Sequence, residues 1–268
     1  MSLVVGVHAE LGESLYRAMR ERLPLPPLTQ THPGISVEDA YQISRAMLAQ
    51  RCERDGEYIV GKKIGVTSEA VQTMLGVFQP DFGFLTNAMA YTDGAVIPAS
   101  NTLIAPRAEV EIAFRLKQTL SGKDNSEARV LEATDCILPC FEIVDSRIAD
   151  WQISIQDTIS DNASCGVFVL GEAKIDPREV DLSALKIDLY KNDSLLSTGV
   201  GSAVQGNPLS AVTWLANTLG AYGIDLEAGE IILSGSVVPL EPVQSGDTLR
   251  LEMSGSDIST CGASCSFS

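Results

Sequence analysis

The sequence of 268 residues is nearly without histidine. Both copies, His8 and His32, fall early, and residues 33–268 contain none. A Ser/His/Asp or Cys/His nucleophile system, a histidine-rich zinc site or a histidine general base would therefore have to draw on the N-terminal segment. Positive charge is also scarce: 19 Lys and Arg stand against 35 Asp and Glu, a formal net charge of −16. Such an acidic chain is expected to repel nucleic acid and anionic membrane surfaces. It can still take a small anionic substrate, because a bound divalent cation reverses the local field. The six cysteines include no C-x-x-C pair, so reduced thiols in a cytoplasmic protein are expected. No run approaches the roughly 18–20 apolar residues of a membrane span. The first residues lack a basic region and reach Glu10 too soon for a signal peptide. Carboxylates, lysines, hydroxyls and an oxygen-held cation are what this composition leaves for chemistry.

What is present reads as an ordinary globular chain, 45% hydrophobic and 20% charged. The spacing predicts helices in residues 1–57. Leu11, Leu15, Ala18 and Met19 mark one over 11–23. After a Pro-rich break, Ser36 and Asp39 form a capping-box signature for a second, which should stop near Gly56. From 58 to 268 the pattern becomes β-rich, with strands expected at 59–66, 95–98, 109–117, 137–144, 166–170, 185–191, 230–234 and 248–253. One helix interrupts them, capped by Asn207 with Pro208 in its first turn. The expected architecture is α+β: a β-rich mixed sandwich or roll carrying a small helical N-terminal region.

Five segments could carry chemistry. Alternation along 108–114 places Glu109 and Glu111 on one face of a strand, with Cα atoms about 6.5–7 Å apart. Both can turn onto one cation, or both can belong to a solvated face continued by Arg115 and Lys117. Glu142 is the only charge in 137–144; it needs a cation, hydrogen bonds or a proton if buried, or water on an edge strand. Three glutamates would suit Mg²⁺ or Mn²⁺ and suit soft metals poorly. Lys62 and Lys63 sit between glycines in a strand-like run. One must point inward if the strand is central, where a lysine can have a lowered pKa for acid–base work, or both reach water from an edge. Gln79-Pro80-Asp81-Phe82-Gly83 reads as a turn. The polar cluster 157–164 reads as a ligand loop or an elaborate turn.

Taken in order, these segments resemble the 2-oxopent-4-enoate (2-hydroxypenta-2,4-dienoate) hydratases of the fumarylacetoacetate-hydrolase fold superfamily. The matching text is Gly61-Lys62-Lys63-Ile64-Gly65-Val66-Thr67-Ser68, residues 75–83, Pro106-Arg107-Ala108-Glu109-Val110-Glu111, Phe141-Glu142-Ile143-Val144-Asp145-Ser146-Arg147, Asp161-Asn162-Ala163-Ser164-Cys165-Gly166 and residues 228–236. The resemblance implies metal ligation of Mg²⁺ or Mn²⁺ by Glu109, Glu111 and Glu142. It also implies acid–base roles for Lys63 and Asp81, and pocket positions for Ser160 and Ser234. It further implies a small 2-oxo or 2-hydroxy dienoic acid substrate, a homo-oligomer, and a complex with a pathway decarboxylase or aldolase. The hydrolases of the superfamily use a His–Glu pair, for which the histidine-free stretch leaves no partner. A 4-oxalocrotonate-type decarboxylase on the same scaffold and a non-catalytic partner subunit are the alternatives; Asp81 favours the hydratase. Ser259-Thr260-Cys261-Gly262 departs from the family's Gly-Ser step before the final strand, which leaves that strand open.

Overall fold

The computed structural model describes residues 5–67, 72 and 79–268. Helix α1 (Val5–Glu21) starts earlier than the apolar periodicity suggests, because His8 is held by Asp39 at 2.9 Å and Val7 packs inward. Arg22, at φ 54°, turns the chain out of it. After one turn, α2 (Leu28–Thr31), helix α3 (Val37–Asp55) has the expected ends. Ser36 and Asp39 exchange the two hydrogen bonds of a capping box, and Gly56 closes the helix in the left-handed region.

The strands are β1 (Ile59–Gly65), β2 (Asp81–Thr86), β3 (Ala90–Thr92), β4 (Ala95–Ile97), β5 (Arg107–Leu116), β6 (Thr134–Val144), β7 (Val167–Leu170), β8 (Lys186–Lys191), β9 (Ser194–Val200), β10 (Ile231–Ser236), β11 (Glu241–Pro242), β12 (Thr248–Gly255) and β13 (Ile258–Phe267). Four further helices, α4 (Ala99–Thr102), α5 (Glu127–Ala133), α6 (Ile155–Ser160) and α7 (Pro208–Ala221), lie among them. The larger sheet has the order β2-β1-β10-β5-β6-β7-β3, with β11 beside β5; the smaller is β4-β13-β12-β8-β9. Both are mixed: β1 runs parallel to β10, β3 to β7 and β4 to β13.

Alternation along each strand divides the side chains. Ile64, Phe82, Val110, Ile112, Phe114, Phe141 and Ile143 enter one large core together with Ile187, Leu189, Leu251 and Phe267 of the smaller sheet. The apolar face of α7 (Leu209, Val212, Leu215, Ala216, Leu219) joins it, and Asn207 accepts the Leu209 N–H at 2.9 Å as its cap. The opposite face of the larger sheet carries a smaller apolar floor of Leu85, Ala113, Cys140, Cys165, Phe168 and Leu233. Helices α1 and α3 share a third cluster with Ile148, Ile155 and Ile159. This packing ties the N-terminal helices to the chain around α6.

Two expectations change. Asp81 does not sit in a turn: it opens β2, whose six residues are all buried. Pro80 and Gly83 suit a turn by propensity, but antiparallel pairing with β1 overrides it. The open C-terminal stretch forms β13, ten residues whose Ala263, Cys265 and Phe267 point inward while small polar residues cover the other side. All six cysteines are free thiols. Among the described residues, no helix is long and apolar enough to cross a membrane.

Candidate metal centre and acid–base site

Register brings the glutamates together. Glu109 on β5 lies directly opposite Glu142 on β6, and Glu111 lies opposite Cys140. Because Val110, Ile112 and Phe114 are drawn into the large core, all three carboxylates project from the other face, where one oxygen of each lies within 4.8 Å of the others. Glu111 and Glu142 are buried at 0% and 1% exposure; Glu109 is part-exposed. A solvated position is thereby excluded for Glu111, and an edge strand is excluded for Glu142, since β6 runs between β5 and β7. Arg115, farther along the same row, reaches solvent and pairs with Asp135.

One backbone group orients the set. The Gly235 N–H donates to Glu111 Oε2 at 2.8 Å. It can do so because β10 slips register between Leu233 and Ser236, with Gly235 at φ 108°. A side chain there would adopt that φ only with strain and would stand 2.9 Å from Thr67 Cβ. Glu111 Oε1 and both Glu142 oxygens meet hydrogen-bond geometry with no donor among the described residues. Burial, reinforced by Glu142, pushes Glu109 up to about 8 and Glu111 well above the usual carboxylate range. Converging, undonated carboxylate oxygens are the ligand set of a hard divalent cation, so Glu109, Glu111 and Glu142 fit Mg²⁺ or Mn²⁺.

Strand β1 is interior, between β2 and β10, so both of its lysines are buried and the edge reading fails. They face opposite ways. Lys62 is neutralised by Glu230 and also donates to the Asp225 carbonyl at 3.1 Å. Lys63 points to the carboxylates, its Nζ 3.2 Å from Glu142 Oε1. Burial by itself would lower its pKa, but Glu142, with Cys165, Glu109 and Asp81 behind it, outweighs burial and raises it. The carboxylates around Lys63 thus shift it in the opposite direction to the lowering that its inward position suggests.

Asp81 faces Lys63 from β2, where its register partner is Gly65. The absence of a side chain at Gly65 makes room for the carboxylate, since a Cβ there would overlap Asp81 Oδ1. Neither Asp81 oxygen meets hydrogen-bond geometry with a donor among the described residues. Burial raises its pKa, Lys63 pulls it down and Glu142 pushes it up, for a value of about 6.

Ser160 ends α6, a short helix begun by a capping box between Ser154 and Asp157. Its hydroxyl is buried with no partner among the described residues. The polar cluster after it is an elaborate turn: Asn162, Ala163 and Ser164 all take φ near 50°. The Asn162 amide accepts the Phe84 N–H and donates to the Phe84 carbonyl, both at 2.9 Å, tying this turn to β2. Gly83 permits the approach, because a Cβ would lie 2.6 Å from the Asn162 carbonyl. Ser234, by contrast, donates its hydroxyl proton to the Ile112 carbonyl at 2.8 Å and so belongs to the sheet. Ser68 and residues 75–78 of the matched segments lie outside the described residues.

Sequence reasoning assigned no role to Arg147 and Asp161, which hold this turn in place. Arg147 Nε donates to Asp161 Oδ1 at 2.5 Å, and its amino groups reach the carbonyls of Asp145, Cys165 and Asp161. The signal was there, as charges set between apolar runs, but which charges pair depends on how two distant loops meet.

Comparison with known proteins agrees with this geometry. The family profile "Fumarylacetoacetate (FAA) hydrolase C-terminal" matches residues 61–263. A 2-hydroxyhexa-2,4-dienoate hydratase of Comamonas testosteroni is 55% identical over 251 residues, covering 93% of this chain and 94% of its own. A 2-hydroxypent-2,4-dienoate hydratase of Pseudomonas putida is 58% identical over 215 residues, 80% and 96% of the two chains. Among solved structures, 4-oxalocrotonate decarboxylase from Pseudomonas putida G7, complexed with magnesium and adipate, superimposes with a TM-score of 0.93 at 32% identity over 99% of both chains.

Proposed function

The chain belongs to the fumarylacetoacetate hydrolase family, and from that premise we propose a metal-dependent hydratase of aromatic meta-cleavage catabolism. It is a hydro-lyase that adds water to 2-hydroxypenta-2,4-dienoate to give 4-hydroxy-2-oxopentanoate. The observation that carries the reading is the convergence of Glu109, Glu111 and Glu142, with three of their buried oxygens outside hydrogen-bond geometry to any donor among the described residues.

Those glutamates would hold Mg²⁺ or Mn²⁺, which supplies Lewis acidity toward the oxygens of the substrate's 2-hydroxy acid end. The protein's own groups then handle protons. The dienol must lose its hydroxyl proton and gain one at C5 to become the conjugated 2-oxo-3-enoate. Water then adds its oxygen at C4, and a proton is delivered to C3. Asp81, with a pKa of about 6, is poised to accept and return a proton near neutrality. Lys63 keeps its charge and stabilises negative charge developing on the 2-oxygen. Ser160, with an uncommitted buried hydroxyl, is placed as a substrate contact. Ser234 supports the same wall through its bond to the Ile112 carbonyl.

The test is an assay of purified protein against the dienoate, following loss of its ultraviolet absorbance. Chelator should abolish turnover and Mg²⁺ or Mn²⁺ restore it, and Glu142→Ala should abolish it in either condition. Full turnover in metal-free buffer would remove the cation from the reaction. Release of CO₂ from 4-oxalocrotonate with no turnover of the dienoate would reassign the chain to the decarboxylase that it superimposes on. A homo-oligomer is supported by Leu195 and Leu196, exposed on the edge strand β9, and sedimentation at several concentrations checks it.

A further inference from the structure

A broad cleft lies away from the carboxylate cluster. It measures about 670 Å³ and lies between the end of α1, the segment before β5 and the turn after β11. Its lining is mixed: Leu23, Leu103, Val243 and Trp151 supply apolar surface beside polar groups such as Ser100 and Gln244. Two arginines line it, Arg22 and Arg107, and neither has a carboxylate partner among the described residues. Among the described residues, Arg22 donates only to the Ser100 carbonyl. The Arg107 guanidinium lies 4.6 Å from the centre of the Trp151 ring, and the Trp151 N–H is fixed on the Ala105 carbonyl at 2.9 Å. The one acid in the lining, Glu21, is held by Arg17 at 3.3 Å.

This is unusual company in a chain with a net charge of −16. The position sharpens the point. Arg107 and Glu109 are two residues apart on β5, hence on the same face, with Cα atoms about 6.5–7 Å apart. Arg107 also lies opposite Val144, two residues beyond Glu142 on β6. The cleft thus adjoins the part-exposed end of the carboxylate row.

We propose that this cleft is a capture site for the organic acid: the anionic end binds Arg107 and Arg22, and the unsaturated hydrocarbon part lies against Trp151 and the apolar surface. It rests on the hydratase reading only for the identity of the acid. Its task is electrostatic. An acidic protein repels its own anionic substrate, and a local pair of unneutralised arginines beside the reacting face raises the concentration of that substrate where it is needed. A monoanion of modest size fits the volume and the mixture of charge and apolar surface.

Two measurements test it. Benzoate is the binding probe, read by tryptophan fluorescence in a Trp214→Phe background, where Trp151 is the remaining indole. Benzoate should perturb the signal saturably. Loss of one charge-assisted contact in Arg107→Gln should weaken that binding about tenfold, while Glu142→Gln, which disables the carboxylate cluster, should leave it unchanged. With the dienoate, Arg107→Gln should raise KM about tenfold with kcat retained, and should flatten the fall of kcat/KM with added salt. Benzoate binding that ignores Arg107→Gln, or that disappears with Glu142→Gln, overturns the capture site. So does a variant that loses kcat with KM unchanged. If the protein fails to turn over the dienoate at all, the fluorescence measurement still decides the cleft by itself.

Discussion

Replacing Asp81 by Asn should make the protein more stable and nearly inactive. Asp81 is 1% exposed, and neither of its oxygens meets hydrogen-bond geometry with a donor among the described residues. Its pKa of about 6 stands some two units above the ordinary 3.8, which at 1.36 kcal/mol per unit amounts to about 3 kcal/mol against the ionised form in the fold. The folded-state value is raised, so the penalty is absent below about pH 4, grows between about pH 4 and 6 and is constant above. The native protein therefore loses stability through that window on account of this group, whereas the Asp81→Asn variant does not. Between pH 4.5 and 7.5 the variant's advantage should widen by about 2 kcal/mol. Urea unfolding in the presence of chelator, repeated at four pH values, measures the difference directly. Turnover should meanwhile fall by about 10²–10⁴. A difference that stays flat with pH, or that narrows as pH rises, would refute the claim that Asp81 is a buried carboxyl kept near its ionisation point by Lys63.

Two further outcomes follow from the same geometry. Mg²⁺ should raise the thermal midpoint, by the equivalent of about 2.7 kcal/mol at a hundred times its Kd, and Glu109→Gln should abolish the shift. Because Glu109 holds its proton up to about 8, the shift should grow as pH is raised from 6 to 8. Arg147→Met should cost about 3–5 kcal/mol by leaving Asp161 buried without its partner; loss of less than about 1 kcal/mol in urea unfolding would show that Asp161 finds another.

The carboxylate row was legible because a strand's period of two is rigid: once Val110, Ile112 and Phe114 are assigned inward, Glu109 and Glu111 have nowhere else to go. Glu142 stood out for a similar reason, as one charge in an apolar run. The ends of α3 and α7 were legible through local capping chemistry at Ser36, Asp39 and Asn207. What resisted was non-local. β2 was hidden because Pro80, Asp81 and Gly83 carry turn propensity, and only pairing with β1 makes them strand. The sign of the Lys63 shift depends on a carboxylate from β6, which does not pair with β1, and the partners of Arg147 depend on two loops meeting. β13 is polar enough by composition to pass for a loop, since one of its faces carries little apolar burden.

The pairing of Gly65 with Asp81 has an evolutionary consequence. The acid occupies the volume that any side chain at position 65 would need. The two positions are thus one unit of inheritance. A lineage that changes Gly65 even to alanine must move or shorten the acid at 81 and so give up the proton chemistry. A lineage that first loses the acid is free to fill position 65. Across descendants of this fold, glycine at 65 should therefore persist wherever the acid does, and relax only after it has gone.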